Sequence, residues 1–472
     1  MSPRSPTEAG NPWRMLAIVS GAGFMVALDA TAMVAAFPAL RAHFGSVSSE
    51  ALAWILNAYT LLYAALLVPA GAWADRVGRK RAFLIGLGGF TLSSMACALS
   101  PSAVTLIAAR SLQAAGAAAL SPAAMALVLE STPKGKRSAV VGVWGAIIAL
   151  AAAVGPGLGS WLIDLFSWRT IFWINVPIGL VVAWRSTRVS ADTVAAANRA
   201  RPDWLGSVLL AAGFGALVAG SAGGVHGGPV LFVAGLGLLA VCIAWSWHRP
   251  NATLDLSLFR DRNYRLANAA TLIFGTAFGM MFLAFFVFMT GIWHFSQTRA
   301  GVIAMVGPLM VIPFAILSGR IAGRHGHRWL LVTGGLLYAA AMAWYALRLT
   351  ATPDYARIWL PGQLVSGAAI GLVIPSLAAA AVNGLPLPSL AVGNAFNTAV
   401  RQLGSVFGVA IAVSLIGGAH LVIESFRQVY LILASAGVAT AIVSMRIDTR
   451  THNVPAATRR TIAAAAEPEL VH

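Results

Sequence analysis

Gly71-Ala72-Trp73-Ala74-Asp75-Arg76-Val77-Gly78-Arg79-Lys80 closes one long apolar stretch and, with Arg81, opens the next. Gly71 and Gly78 allow a tight turn. Asp75 can pair with a cation or cap a helix, and Arg76, Arg79, Lys80 and Arg81 anchor the turn at a charged surface. A second copy lies 248 residues later, in Gly319-Arg320-Ile321-Ala322-Gly323-Arg324-His325-Gly326-His327-Arg328. Gly, Ala, Arg, Gly and a final basic residue coincide in the two copies. A basic turn repeated between apolar stretches points to a chain built from two related halves.

The composition around these turns excludes a soluble protein. The chain has 472 residues, 58% of them hydrophobic and only 10% charged, where soluble domains carry about 25% charged residues. Long apolar stretches recur throughout, as in a multi-spanning membrane protein. The net charge of +17 sits in short clusters between apolar segments, which suits loops facing anionic lipid rather than nucleic acid. Cys97 and Cys242 lie inside apolar stretches, with no metal-ligand or disulfide spacing. The first apolar run, from Met15 to Leu40, exceeds the roughly 7–15 residues of a signal-peptide core and reads as a retained span.

Fourteen segments reach or approach the roughly 20 apolar residues of a membrane helix. They fall near 13–37, 51–73, 82–100, 103–128, 138–163, 170–185, 205–221, 229–247, 266–290, 300–322, 329–348, 357–378, 391–416 and 427–445. An all-α membrane protein with fourteen transmembrane helices is therefore expected. Under that topology 24 Lys and Arg fall on one face and 6 on the other. The richer face should be cytoplasmic and should hold both termini. The repeat divides the chain into a six-helix bundle over 1–185, a linker with two inserted helices over 186–265, a second six-helix bundle over 266–446 and a cytoplasmic tail over 447–472.

Several motifs carry a family resemblance across residues 28 to 408. Leu28-Asp29-Ala30-Thr31 with Pro38 belongs to the first span, where Val34 stands at a position usually held by Asn. Arg110-Ser111-Leu112-Gln113 with Gly116 belongs to the fourth. Gly155-Pro156-Gly157-Leu158-Gly159 belongs to the fifth, where Ala151 and Ser160 replace two further glycines. Trp168-Arg169-Thr170-Ile171-Phe172-Trp173-Ile174-Asn175-Val176-Pro177-Ile178-Gly179 opens the sixth. Arg401-Gln402-Leu403-Gly404 with Gly408 lies in the thirteenth. Together with the turn at Gly71, these resemble the major facilitator superfamily, and in particular its fourteen-helix drug:proton antiporters. The resemblance implies two six-helix bundles around a midplane cavity. It implies a conformational latch at Gly71, Asp75, Arg76, Gly78 and Arg79, and an exporter motif at Gly155, Pro156 and Gly159. The bland alternatives are a topology anchor and ordinary small-residue packing.

Ionisable groups inside the bilayer are functional candidates, since burying one costs about 2.5–3.5 kcal/mol on insertion scales. Here they are Asp29, Arg110 and Arg401, and Asp29 is the only acid well inside a span. At 1.5 Å per residue, Asp29 lies roughly 24 Å along the first span and Arg110 roughly 10 Å into the fourth from the opposite side. Asn57 and Tyr59 lie roughly 9–12 Å into the second, in the same layer, and Arg401 lies roughly 15 Å into the thirteenth. Asp29 is expected to carry a coupling proton, Arg110 to control its affinity and Gln113 to orient either group. A static Asp29–Arg110 pair is the structural alternative.

Asn57, Tyr59, Arg401 and one face of the ninth span, Phe278, Met281, Phe282 and Phe285, are candidates for a substrate cavity, since Met and aromatic faces suit varied apolar ligands. The expectation is a bacterial inner-membrane exporter of drugs, antibiotics or related metabolites. It should act as a monomer on amphipathic or cationic substrates, with protons as the energy source, no cofactor or metal and no nucleic-acid partner. One charge crossing 100 mV supplies about 2.3 kcal/mol, roughly a fortyfold concentration ratio. An importer or facilitator of the same fold is the first rival. A receptor or enzyme is the second, disfavoured because no nucleophile–base pair or nucleotide loop is present.

Overall fold

The computed structural model describes residues 12–187, 203–221, 227–249, 252–386, 389–416 and 422–449. These are all helix, turn or coil, with no strand among them. The helices are α1 (Pro12–His43), α2 (Ser49–Val77), α3 (Arg79–Leu99), α4 (Ala103–Glu130), α5 (Arg137–Leu165), α6 (Thr170–Trp173), α7 (Asn175–Thr187), α8 (Trp204–Ser221) and α9 (Gly228–Trp247). They continue as α10 (Arg262–Val287), α11 (Gln297–Ala304), α12 (Val306–His325), α13 (Arg328–Arg348), α14 (Leu360–Val382), α15 (Leu390–Ile416) and α16 (Ile423–Ser444).

Twelve helical segments among the described residues are long and apolar enough to cross a membrane. The expectation of fourteen is therefore corrected, and with it the assignment to a fourteen-helix subfamily. The two segments that fail are the sixth and seventh. The chain breaks at Ile174, so the sixth is a four-residue α6 followed by a 13-residue α7. Thirteen residues extend about 20 Å, short of an apolar core of about 30 Å. The seventh has an apolar helix of only Trp204–Gly220, about 26 Å long. Counting apolar residues in a window registers neither the break nor the shortfall. The division of basic residues between two faces presupposed fourteen spans and does not bear on the count.

Local sequence sets the helix ends. Ser48 caps α2 by accepting from the Ala51 amide. Ser102 and Thr105 form a reciprocal capping box at the start of α4, satisfying amides that the first turn leaves free. Gly78 ends α2 at φ 99° and Gly326 ends α12 at φ 75°. Both occupy the region where a Cβ is disfavoured, so the two glycines of the repeat make the same sharp turn.

Helices α1 to α5 and α7 pack among themselves, as do α10 and α12 to α16. The pair α8–α9 leans on α2. Outward-facing Leu92, Leu112, Val230 and Leu347 are exposed, as lipid contact requires. The two groups meet along α5–α12 and α2–α15. The closest approaches cluster at the end that carries the two basic turns, hereafter the closed end. There Gly142 faces the Ala315 carbonyl and Gly319 the Ser138 carbonyl, too near for a side chain on either glycine. Ser138 Oγ also bonds His327 Nε2 at 3.0 Å.

Of the expected tail 447–472, only residues 447–449 are among those described. They form a strap across the closed end of the second group. Asn263 and Asp448 exchange two hydrogen bonds of 2.6 and 2.9 Å. Arg328 Nε donates to the Ile447 carbonyl at 2.9 Å. The His327 amide donates to Thr449 Oγ1, also at 2.9 Å.

Candidate proton and substrate site

Asp29 lies in the middle of α1 and is 1% exposed; Arg110, one turn before Gln113 on α4, is also 1% exposed. Arg110 Nη1 donates to Asp29 Oδ2 at 2.6 Å and to Gln113 Oε1 at 2.7 Å. Gln113 Nε2 closes the ring by donating to Asp29 Oδ1 at 3.0 Å. Asn175, the first residue of α7, donates from Nδ2 to the same Oδ1 at 2.9 Å and to Ser94 Oγ at 3.0 Å. The Ser94 hydroxyl in turn donates a hydrogen bond to the Phe172 carbonyl at 2.9 Å. Arg110 lies 4.1 Å over the Tyr59 ring and 5.7 Å over the Phe172 ring, and its Nε reaches the Ile55 carbonyl at 3.4 Å. The depth count placed Asp29, Arg110, Asn57 and Tyr59 in one layer; the structure joins Asp29, Arg110 and Tyr59 in one network and leaves Asn57 outside it.

Charge-assisted bonds of this length are among the stronger polar contacts in proteins. They offset the burial of two charges, and removal of one partner from such a pair costs about 3–5 kcal/mol. Every other acid among the described residues lies at a helix end or in a loop, so Asp29 is the one carboxylate among them set deep within a span.

Asn175 and Ser94 were not singled out from sequence as site residues. Asn175 sat in plain view within the stretch 168–179, as an amide in an apolar run. Its value comes from the break at Ile174, which starts α7 afresh with that side chain turned inward.

The fifth-span motif acts on the same network. A Cβ at Gly155 would collide with Thr31 Oγ1, and one at Gly159 would lie 3.2 Å from Ala32 Cα. The two glycines thus seat α5 on the turn of α1 that follows Asp29. Pro156 lies between them, partly buried, where its missing amide relaxes the helix.

The turn at Gly71 makes contacts across the seam. Asp75 accepts from Arg79 Nη2 at 3.0 Å and from the Val392 amide, in the first turn of α15, at 3.0 Å. A carboxylate there satisfies a free amide and meets the positive end of the helix dipole. Arg79 Nη1 also pairs with Glu130 at 2.9 Å. Gly71 lies against α15, where a Cβ would be 2.7 Å from Ala395 Cβ. Arg76 is half-exposed and interacts electrostatically with Asp203.

The substrate-cavity candidates do not converge. Tyr59 lies under Arg110, but Asn57 is exposed. Phe285 is buried with its ring 5.4 Å from that of Trp359, in an aromatic core with Phe288 and Tyr345. Phe282 is 49% exposed and meets Phe286 at 5.1 Å. Phe278 and Met281 are half-buried against the same core. Helical spacing alone cannot tell a cavity face from a packing face. A cavity of about 460 Å³ lies elsewhere, lined by Ser296, Arg299, Val302, Ile303 and Tyr355. Arg401 is half-buried on α15 beside Tyr63 of α2.

The family model of the Major Facilitator Superfamily matches residues 19–205 and 267–470. The chain belongs to this superfamily. It is 35% identical over 406 residues to the methylenomycin A resistance protein of Streptomyces coelicolor, covering 82% of each chain. It is 31% identical over 419 residues to the multidrug resistance protein Stp of Mycobacterium tuberculosis, covering 84% of this chain and 75% of the relative. Among solved structures, the human organic anion transporter MFSD10 superposes with a TM-score of 0.70 at 15% identity, covering 93% of this chain and all of the other. The superfamily member described here is thus a multi-pass membrane transporter of small organic molecules. Among the described residues no three metal-ligating side chains cluster.

Proposed function

We propose that the protein exports small organic molecules across a bacterial cell membrane in exchange for protons, as a monomer with both termini cytoplasmic. The observation that carries this reading is the ring formed by Asp29, Arg110, Gln113 and Asn175. It holds a single acid on α1 through donors from α4 and α7. Protonation of Asp29 neutralises the partner of Arg110, so relative movement of α1 and α4 alters the acid's hold on its proton. The seam closed by Asp75, Gly71, Gly142 and Gly319 would open to release that proton on the other side, in keeping with alternating access around a midplane site. The resistance functions named for two relatives support export, as does the glycine motif seating α5 beside Asp29.

Cells with and without the protein, compared across a panel of antibiotics and dyes, test the reading. Resistance to some compounds should appear with the protein. A protonophore should abolish it, and so should Asp29→Asn at equal membrane abundance. Full resistance in Asp29→Asn cells would show that the carboxylate does not carry the coupling proton.

A further inference from the structure

Arg401 sits near the middle of α15, roughly 14 Å along the helix from Val392 at the closed end. Arginine is always ionised in proteins, yet among the described residues Arg401 makes no ion pair and donates no hydrogen bond, not even to a backbone carbonyl. Its one marked electrostatic neighbour is Tyr63, across the seam on α2. The Tyr63 hydroxyl donates to Ser121 Oγ of α4 at 3.2 Å, which leaves the Ser121 hydroxyl hydrogen free to donate. Tyr63 stacks on Tyr59 with ring centroids 6.0 Å apart and planes 9° apart, and Tyr59 also carries Arg110, 4.1 Å from its ring centroid. A half-buried guanidinium on α15 therefore lies near Tyr63 of α2, whose hydroxyl is bonded to Ser121, along the seam between the two halves and two rings away from Asp29.

We infer that this is the docking point for an anionic group, and that the preferred substrates are amphipathic organic acids carrying a carboxylate beside an aromatic or apolar body. The inference rests on the transport function proposed above and supplies its substrate class. A planar guanidinium favours carboxylates through paired N–H donors. A cationic substrate would be repelled by Arg401, and a neutral one would leave the charge without a counter-ion. The apolar body of the acid lies against Tyr63, and Ser121 donates to the second carboxylate oxygen. Because Tyr63 and Tyr59 connect this point with Arg110, an acid arriving at Arg401 presses on the partner of the proton-carrying group.

The test is ligand-induced thermal stabilisation of the purified full-length protein in detergent. The probes are matched pairs, naphthalene-2-carboxylate, anthracene-9-carboxylate and fluorescein, each beside its uncharged primary amide. At least one acid should bind ten-fold or more tightly than its amide. Arg401→Gln should bring that ratio near one, and Arg401→Lys should keep part of it, since a point charge remains without the planar fork. No stabilisation by any acid, equal stabilisation by acid and amide, or a preference that survives Arg401→Gln overturns the inference. Failure of proton coupling is read separately: Asp29→Asn would then retain full transport while the acid-to-amide ratio stays as in the parent protein.

Discussion

Replacing Gly142 by alanine should open the closed end without loosening either half. The Gly142 Cα lies where α5 crosses α12, and an added Cβ would sit 2.5 Å from the Ala315 carbonyl oxygen and 3.0 Å from Gly319 Cα. Ordinary contact begins at 3.4 Å, so the helices must part by about 0.9 Å, and both neighbours are backbone that cannot rotate away. Overpacking of this kind costs about 1–3 kcal/mol. The contact joins the two halves only while this end is shut. The cost therefore falls on the closed conformer alone and appears as a change of about 5- to 150-fold in the ratio of closed to open molecules. Spin labels on cysteines introduced at Arg81 and Arg324, both exposed near the two basic turns, would report that ratio as a distance distribution; native Cys97 and Cys242 are buried. Gly335→Ala is the control. Its Cβ would lie 2.8 Å from the Gly437 carbonyl, within the second half, so it should lower the unfolding temperature while leaving the distances alone. If Gly142→Ala lowers the unfolding temperature but leaves the distances unchanged, the seam is not the moving joint.

Two further outcomes follow from buried polar groups. Asn175→Leu removes the donor shared by Asp29 and Ser94, at about 1–3 kcal/mol; it should lower the unfolding temperature in detergent and weaken proton-driven transport, whereas Asn57→Leu, at an exposed site, should do neither. His327 is buried at the seam, and burial pushes its imidazole from 6.5 down to about 4; its partners, Ser138 Oγ and the Thr449 hydroxyl on its amide, do not titrate in this range. Opening would hydrate His327 and let it protonate near 6.5, so the open form binds more protons. The His327 contribution to the closed form should fall away as pH drops from 6.5 to 4, by at most about 3 kcal/mol. Labelled His327→Gln should therefore show a shorter distance than the parent protein at pH 5 and the same distance at pH 7.5.

The repeat at Gly71 and Gly319 was legible because it is chemical as well as spatial. Both turns need glycine at a positive φ, and no other residue serves as well. The layer of Asp29 and Arg110 could be counted, because rise per residue fixes depth along a helix. Facing could not be counted, since it depends on how whole helices rotate against one another. That is why the bond from Asn175 to Asp29 is not readable from spacing, and why spacing alone does not say whether Phe282 and Phe285 line a cavity or pack in a core. The break at Ile174 has the same root. An apolar stretch that runs through a helix break, like the sixth segment, has the composition of a span but not its length, and the unbroken seventh falls just short of the length needed.

The strap formed by residues 447–449 ties the described end of the chain to the seam between the two halves. Thr449 holds the backbone of His327, and the ring of His327 reaches across to Ser138 on the other half, so two hydrogen bonds separate the last described residue from the partner bundle. A force applied at this strap would reach the seam through His327 and Ser138, and would bypass the Asp29 network deep in the first bundle.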